Sequence, residues 1–160
     1  MKHGYEKQNA VSKQNVTVYT NKTQEEFKKI GQEMYQNNSK VKSAMCSGIQ
    51  WDLVMKFIDG KNDGQGNTYN VEESNKLRHI DDGKTKTGKN INDKVQNIYD
   101  LEGNCWEYTA EKIKIENELK FIIRGGYYSS VYRVREASKR SYGDGDKYEA
   151  TTFRTVLYIM

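Results

Sequence analysis

Two cysteines, Cys46 and Cys105, and two histidines, His3 and His79, are the only thiol and imidazole groups in the 160 residues. A copper or iron centre draws on soft thiolates or clustered imidazoles. Neither cysteine has a second Cys or His at short metal-ligand spacing, and two thiols build no disulfide framework. Whether they pair with each other is left open by their spacing, and a reduced or redox-indifferent setting is expected. A different chemistry is written between Tyr127 and Ala150. Tyr127, Tyr128, Tyr132, Tyr142 and Tyr148 stand there among Ser and Gly, with Arg133, Arg135, Asp144 and Asp146 interspersed. Tyrosine offers a large rigid contact area with a polar tip, and this mixture is that of an antibody paratope. These nine residues are the candidate binding face, with the aromatics supplying desolvated contact and the charges orientation. The plain alternative is a polar surface loop without a ligand.

The bulk composition bounds the rest. The chain is 35% hydrophobic, 30% charged, free of proline and only +4 in net charge, with a mean hydropathy of −0.98. That length suits one domain with a single core. Charges of both signs are interspersed, so no basic stripe marks a nucleic-acid surface. No apolar run approaches the length of a membrane span, and residues 1–10 lack the apolar stretch of a secretory signal. A soluble protein without membrane insertion is expected, cytoplasmic or carried outside as part of a virion.

The elements that must position the face follow from capping and periodicity. Residues 1–15 are polar and aperiodic and read as an arm, loose or packed on a partner. Residues 16–160 form the domain, entered by the short β-type run Val16 to Tyr19. Thr23-Gln24-Glu25-Glu26 is a capping box, followed by Phe27, Ile30 and Met34 on one helical stripe. Ser47-Gly48-Ile49-Gln50 is a second. Apolar residues from Ile49 to Ile58 point to nearly every side, so that helix is expected to be buried on more than one face, at the centre of the core. Gly60 suits the left-handed position after its end. Residues 60–93 read as long loops. Leu119 to Arg124 and Phe153 to Ile159 are the best strands, the latter with Phe153, Thr155, Leu157 and Ile159 on one side. Helices first and strands afterwards is an α+β order.

The densest motif is Asn97-Ile98-Tyr99-Asp100-Leu101-Glu102-Gly103-Asn104-Cys105-Trp106-Glu107-Tyr108-Thr109, answered by Ile122-Ile123-Arg124-Gly125-Gly126-Tyr127 and Thr152-Phe153-Arg154. Gly103 permits a tight bend, Asn104 bonds its own loop, and Trp106 is expected to bury its indole against the two helices. Arg124 is expected to pair with a buried carboxylate such as Glu107. Together these residues resemble the formylglycine-generating enzyme (sulfatase-modifying factor) family, whose fold is a variant of the C-type lectin-like domain. Val16 to Tyr19 is similar to its entry strand, and Ser47 to Asp52 to a helix start that there carries a proline.

That resemblance implies an α+β C-type lectin-like fold, with two helices packed on twisted antiparallel strands and long loops. It also implies a structural calcium at the positions matching Asp100, Gly103, Cys105 (main-chain carbonyl) and Glu107, an oxygen set that suits a hard cation. Oxidases of the family bind copper through two cysteines beyond the Arg-Gly-Gly strand. Here residues 127–152 hold no cysteine, so no copper and no catalytic residue are expected. The segment also resembles the variable face of retroelement-diversified binding proteins, phage tropism determinants among them. The expected function is therefore non-catalytic recognition of a protein or carbohydrate receptor on a cell surface, as in a phage tail tip or variable adhesion protein, within a homo-oligomer or virion assembly. The rival readings are a divergent metal-dependent oxidase using Cys46 or Cys105, and a structural assembly protein.

Overall fold

A computed structural model describes residues 3–6, 9–62, 68–71, 83–89, 94–128 and 137–160. Two local signals start its helices where the sequence placed them. The Thr23 and Ser47 side chains accept from the Glu26 and Gln50 amides at 3.2 Å each, and those residues' side chains accept back from the cap amides. Helices α1 (Gln24–Glu33) and α2 (Gly48–Ile58) follow. Gly60, just past α2, has φ +72°, the conformation that glycine adopts without steric cost.

In chain order the strands are β1 (Gly4–Glu6), β2 (Asn9–Val11), β3 (Val41–Met45), β4 (Lys94–Val95), β5 (Ile98–Tyr99), β6 (Trp106–Ile115), β7 (Glu118–Arg124), β8 (Ser141–Gly143), β9 (Thr151–Phe153) and β10 (Thr155–Ile159). The largest sheet runs β8-β7-β6-β9, antiparallel except for the parallel pair β6 and β9. Smaller antiparallel pairs join β1 to β2, β3 to β10 and β4 to β5. The described residues form a mixed α+β arrangement with two helices and several small sheets.

Two apolar clusters hold it together. One gathers Phe27 of α1 with Met45, Trp106, Tyr108, Ile123 and Phe153. Gly31 allows the close approach, since a Cβ there would lie 3.1 Å from the Met45 amide and 3.3 Å from the Phe153 ring. Phe27 stacks on Phe153 with centroids 5.0 Å apart. The other cluster gathers Cys46, Trp51, Met55, Ile58, Tyr69 and Leu101.

Three expectations are corrected. Helix α2 is buried on one face only: Trp51, Met55 and Ile58 point inward, while Ile49, Leu53 and Phe57 are 75%, 60% and 56% exposed. Their spacing of four puts them on one stripe. The run from Phe153 to Ile159 is broken at Arg154, whose side chain turns into the core. Phe153 is buried, yet Leu157 and Ile159 are exposed. Val16 to Tyr19 contributes only an isolated bridge, Val18 to Gly4. Within residues 1–15, His3 is buried beside Phe153, with ring centroids 4.5 Å apart, and its Nε2 accepts from the Thr155 amide at 2.9 Å.

Candidate functional site

The two family-like motifs interlock through their backbones. Gly125 and Gly126 have φ +81° and +67° and turn the chain sharply after β7. A Cβ on Gly125 would sit 2.6 Å from the Leu101 carbonyl, so only glycine fits. The Gly103 amide donates to the Gly125 carbonyl at 2.7 Å, and the Tyr128 amide to the Asn104 carbonyl at 3.0 Å. The loop before β6 thus fixes where Tyr127 and Tyr128 leave the sheet.

Those two rings meet a third. Tyr127 lies with its centroid 5.4 Å from Tyr128 and 6.5 Å from Tyr148, edge-on to both, and 6.1 Å from the Trp106 indole, which it stacks against. Tyr148 is held by its carbonyl, which accepts from the Asn21 amide at 3.2 Å and the Thr151 hydroxyl at 3.0 Å. Tyr127 and Tyr128 are half-buried and Tyr148 is 46% exposed. The Tyr128 hydroxyl is pushed up by partial burial and then by the Glu149 charge, and that of Tyr148 by partial burial and then by Tyr127. The result is a partly exposed aromatic platform of three tyrosines, with a tryptophan stacked against Tyr127.

The other candidates stand apart from the trio. Tyr142 is exposed on β8 and makes no ring contact with the three tyrosines among the described residues. Asp144 is paired with Lys120 at 2.6 Å. The Asp146 carbonyl accepts from the Tyr108 hydroxyl at 3.1 Å. Tyr132, Arg133 and Arg135 lie outside the described residues. Trp106, the floor of the platform, was read only as a core residue. Its exposure of 8% agrees with that reading, and no sequence signal marked its stack on Tyr127.

The calcium positions have other partners. Both Glu107 oxygens are taken by Arg154, whose Nε and Nη2 donate at 2.9 and 2.8 Å. Asp100 Oδ2 accepts from the Gly88 amide at 2.7 Å. Among the described residues no three His, Cys, Asp or Glu side chains come together as a metal site. A divalent cation at Glu107 would stand against a guanidinium, so in this arrangement Asp100, Gly103, Cys105 and Glu107 do not fit calcium. The expected Arg124 to Glu107 ion pair is likewise corrected. Arg124 is buried and bonds Asp52 and the Ser138 carbonyl instead. Burial lowers the Arg124 pKa and Asp52 only partly restores it. For Arg154 burial acts the same way and most strongly, but the Glu107 charge and hydrogen bonds together with the Asp100 charge outweigh it and raise the pKa. Both guanidiniums lie 5.8 Å from the Trp51 ring.

Both cysteines are buried and neither forms a disulfide. Burial pushes the Cys46 thiol up to about 12, the reverse of what a nucleophile or metal-binding thiolate needs.

An α+β scaffold that carries an aromatic platform on interlocked loops is the class this geometry defines. A solved structure with the same fold is that of CarF, with a TM-score of 0.60 at 12% identity over 90% of this chain and 68% of that one. Treponema denticola variable protein 1 matches with a TM-score of 0.47 at 16% identity, over 74% of this chain and 48% of that chain. No protein-family model matches the sequence, and no curated protein matches it. None of the described helices is long and apolar enough to cross a membrane.

Proposed function

We propose that this chain is a non-catalytic recognition domain of the C-type lectin-like, formylglycine-generating-enzyme type, which binds a protein or carbohydrate receptor on a cell surface. The observation that carries this reading is the cluster of Tyr127, Tyr128 and Tyr148, in which Tyr127 stacks on Trp106 and meets the other two edge-on. Aromatic anchors held rigid on a packed floor lose little conformational freedom on binding and supply most of an interface's energy. The same faces suit stacking on the C–H face of a sugar ring or packing against an apolar side chain. The buried, hard-to-ionise Cys46 supports a binding role over an oxidase.

The test is a glycan array and a display of cell-surface proteins probed with the wild-type chain, then with Tyr128→Ala and Tyr148→Ala. Retained folding with at least a tenfold loss of binding in both variants supports the reading. Binding that persists unchanged in both, or none in the wild type, sinks it. Titrating the reduced protein with copper(I) probes the oxidase alternative. A thiolate absorption band that vanishes in Cys46→Ser or Cys105→Ser would replace recognition by redox chemistry.

A further inference from the structure

Strand β10 ends its sheet with a bare apolar edge, and we infer that it pairs with the same strand of a second copy across a twofold axis. The register with β3 decides which backbone groups are free. Arg154 pairs with Cys46 and Met160 with Lys40, with N–H to carbonyl distances of 2.8 and 3.0 Å. Between them the ladder alternates, so Val156 and Tyr158 bond to β3 while Leu157 and Ile159 direct N–H and C=O away from it. Thr155, the first of the outward residues, gives its N–H to His3. Among the described residues no strand covers Leu157 or Ile159 on that side.

Sheet edges of this kind are ordinarily blunted by a lysine, a proline or a bulge. The sequence Thr155-Val156-Leu157-Tyr158-Ile159 has none of these, and its last three residues are 53%, 47% and 91% exposed.

A second copy fits for reasons of register and charge. With the axis through Tyr158, Leu157 faces Ile159 of the other copy in a hydrogen-bonded pair, and the reverse pair repeats it. Every outward N–H and C=O of these two residues is then satisfied. The strand carries no charge to repel itself. Tyr158 falls opposite its own copy in the closer, non-hydrogen-bonded position. Its hydroxyl accepts from Gln50 of α2 at 2.8 Å, which links the strand to the exposed stripe Ile49, Leu53 and Phe57. Leu157 and Ile159 stand on one face of the strand and Tyr158 on the face toward α2, so the pairing buries apolar side chains on both sides of the joined sheet.

The test is oligomeric mass by light scattering at about 100 µM, well above a micromolar dissociation constant. The wild type is expected at twice 18.6 kDa. Leu157→Pro removes an outward N–H and leaves the β3 ladder intact, and Ile159→Lys adds a charge to the edge. Both are expected to be monomers with unchanged circular dichroism. As an independent readout, Tyr158→Cys places two thiols directly opposite, with Cβ atoms about 4.5 Å apart, within disulfide reach. Oxidation is expected to link it into a covalent dimer, while Leu53→Cys links far less. A monomeric wild type overturns the inference and leaves the edge to a partner of different sequence. A dimer that survives Leu157→Pro, with Tyr158→Cys uncrosslinked, puts the second copy on another face and overturns it equally.

Discussion

Glu107 and Arg124 face each other across strands β6 and β7, yet their charges do not meet. Glu107 is bonded twice by Arg154 and Arg124 by Asp52, with Trp51 flanked by the two guanidiniums. Each buried cation therefore has its own carboxylate, and the indole lies against both. This arrangement ties α2, β6, β7 and the Phe153 to Thr155 turn into one unit beneath the loops that carry the tyrosines.

Breaking the Glu107 pair from one side should be costly. Arg154→Leu leaves a fully buried carboxylate without its partner, and a loss of about 3–5 kcal/mol is expected. Arg154→Leu with Glu107→Leu should recover a good part of it, because neither charge then remains in the core. Denaturant unfolding of the two variants checks this. Equal losses would show that the pair is not what the core depends on.

Asp52 should matter more than its exposure suggests. It bonds buried Arg124 and half-exposed Arg140 together. Asp52→Ala is expected to cost about 2–3 kcal/mol, the scale of a hydrogen bond to a charged group whose partner stays buried. Arg140→Ala removes only the exposed arm and should cost under about 1 kcal/mol. Unfolding midpoints rank the two, and the reverse order would contradict the assignment.

His3 should make stability depend on pH on the acid side. Burial lowers its pKa from 6.5 to about 3, so the unfolded chain takes up a proton that the folded chain refuses. Its contribution is complete above pH 6.5 and is lost as pH falls toward 3. The slope approaches about 1.4 kcal/mol per pH unit from this one group. His3→Gln should remove that part of the slope in denaturation series between pH 7 and 4. An unchanged slope would place His3 in solvent.

Calcium should leave the fold untouched. With the Glu107 oxygens on Arg154 and Asp100 on the Gly88 amide, calorimetric titration of chelator-treated protein is expected to be flat, with one melting temperature in chelator and in calcium. A saturating heat signal with a raised melting temperature would mean that the loop rearranges to take the ion.

The helix starts were legible because a capping box is settled within four residues. Thr23 with Glu26 and Ser47 with Gln50 need no distant partner. Gly60 after the second helix was legible for a similar reason, since it occupies a left-handed conformation that other residues avoid. The outward stripe of α2 was not. Ile49, Leu53 and Phe57 are as apolar as Met55 and Ile58, and periodicity cannot say which of two apolar faces the rest of the chain will cover.

Charge pairing lay further out of reach. Arg124 and Arg154 were equally available to Glu107, and only the docking of α2 brought Asp52 within bonding distance of Arg124. The same choice sets Glu107 against calcium in this arrangement, because a carboxylate engaged by a guanidinium is a poor cation ligand. The tyrosines illustrate both halves. Composition marked Tyr127, Tyr128 and Tyr148 along with Tyr132, Tyr142, Arg133, Arg135, Asp144 and Asp146, since residue type determines what a surface can bind. That they meet over Trp106, apart from Tyr142, was decided by the tertiary structure, because backbone bonds from Gly103 and Asn104 to the far side of the Arg-Gly-Gly turn join segments that lie distant along the chain.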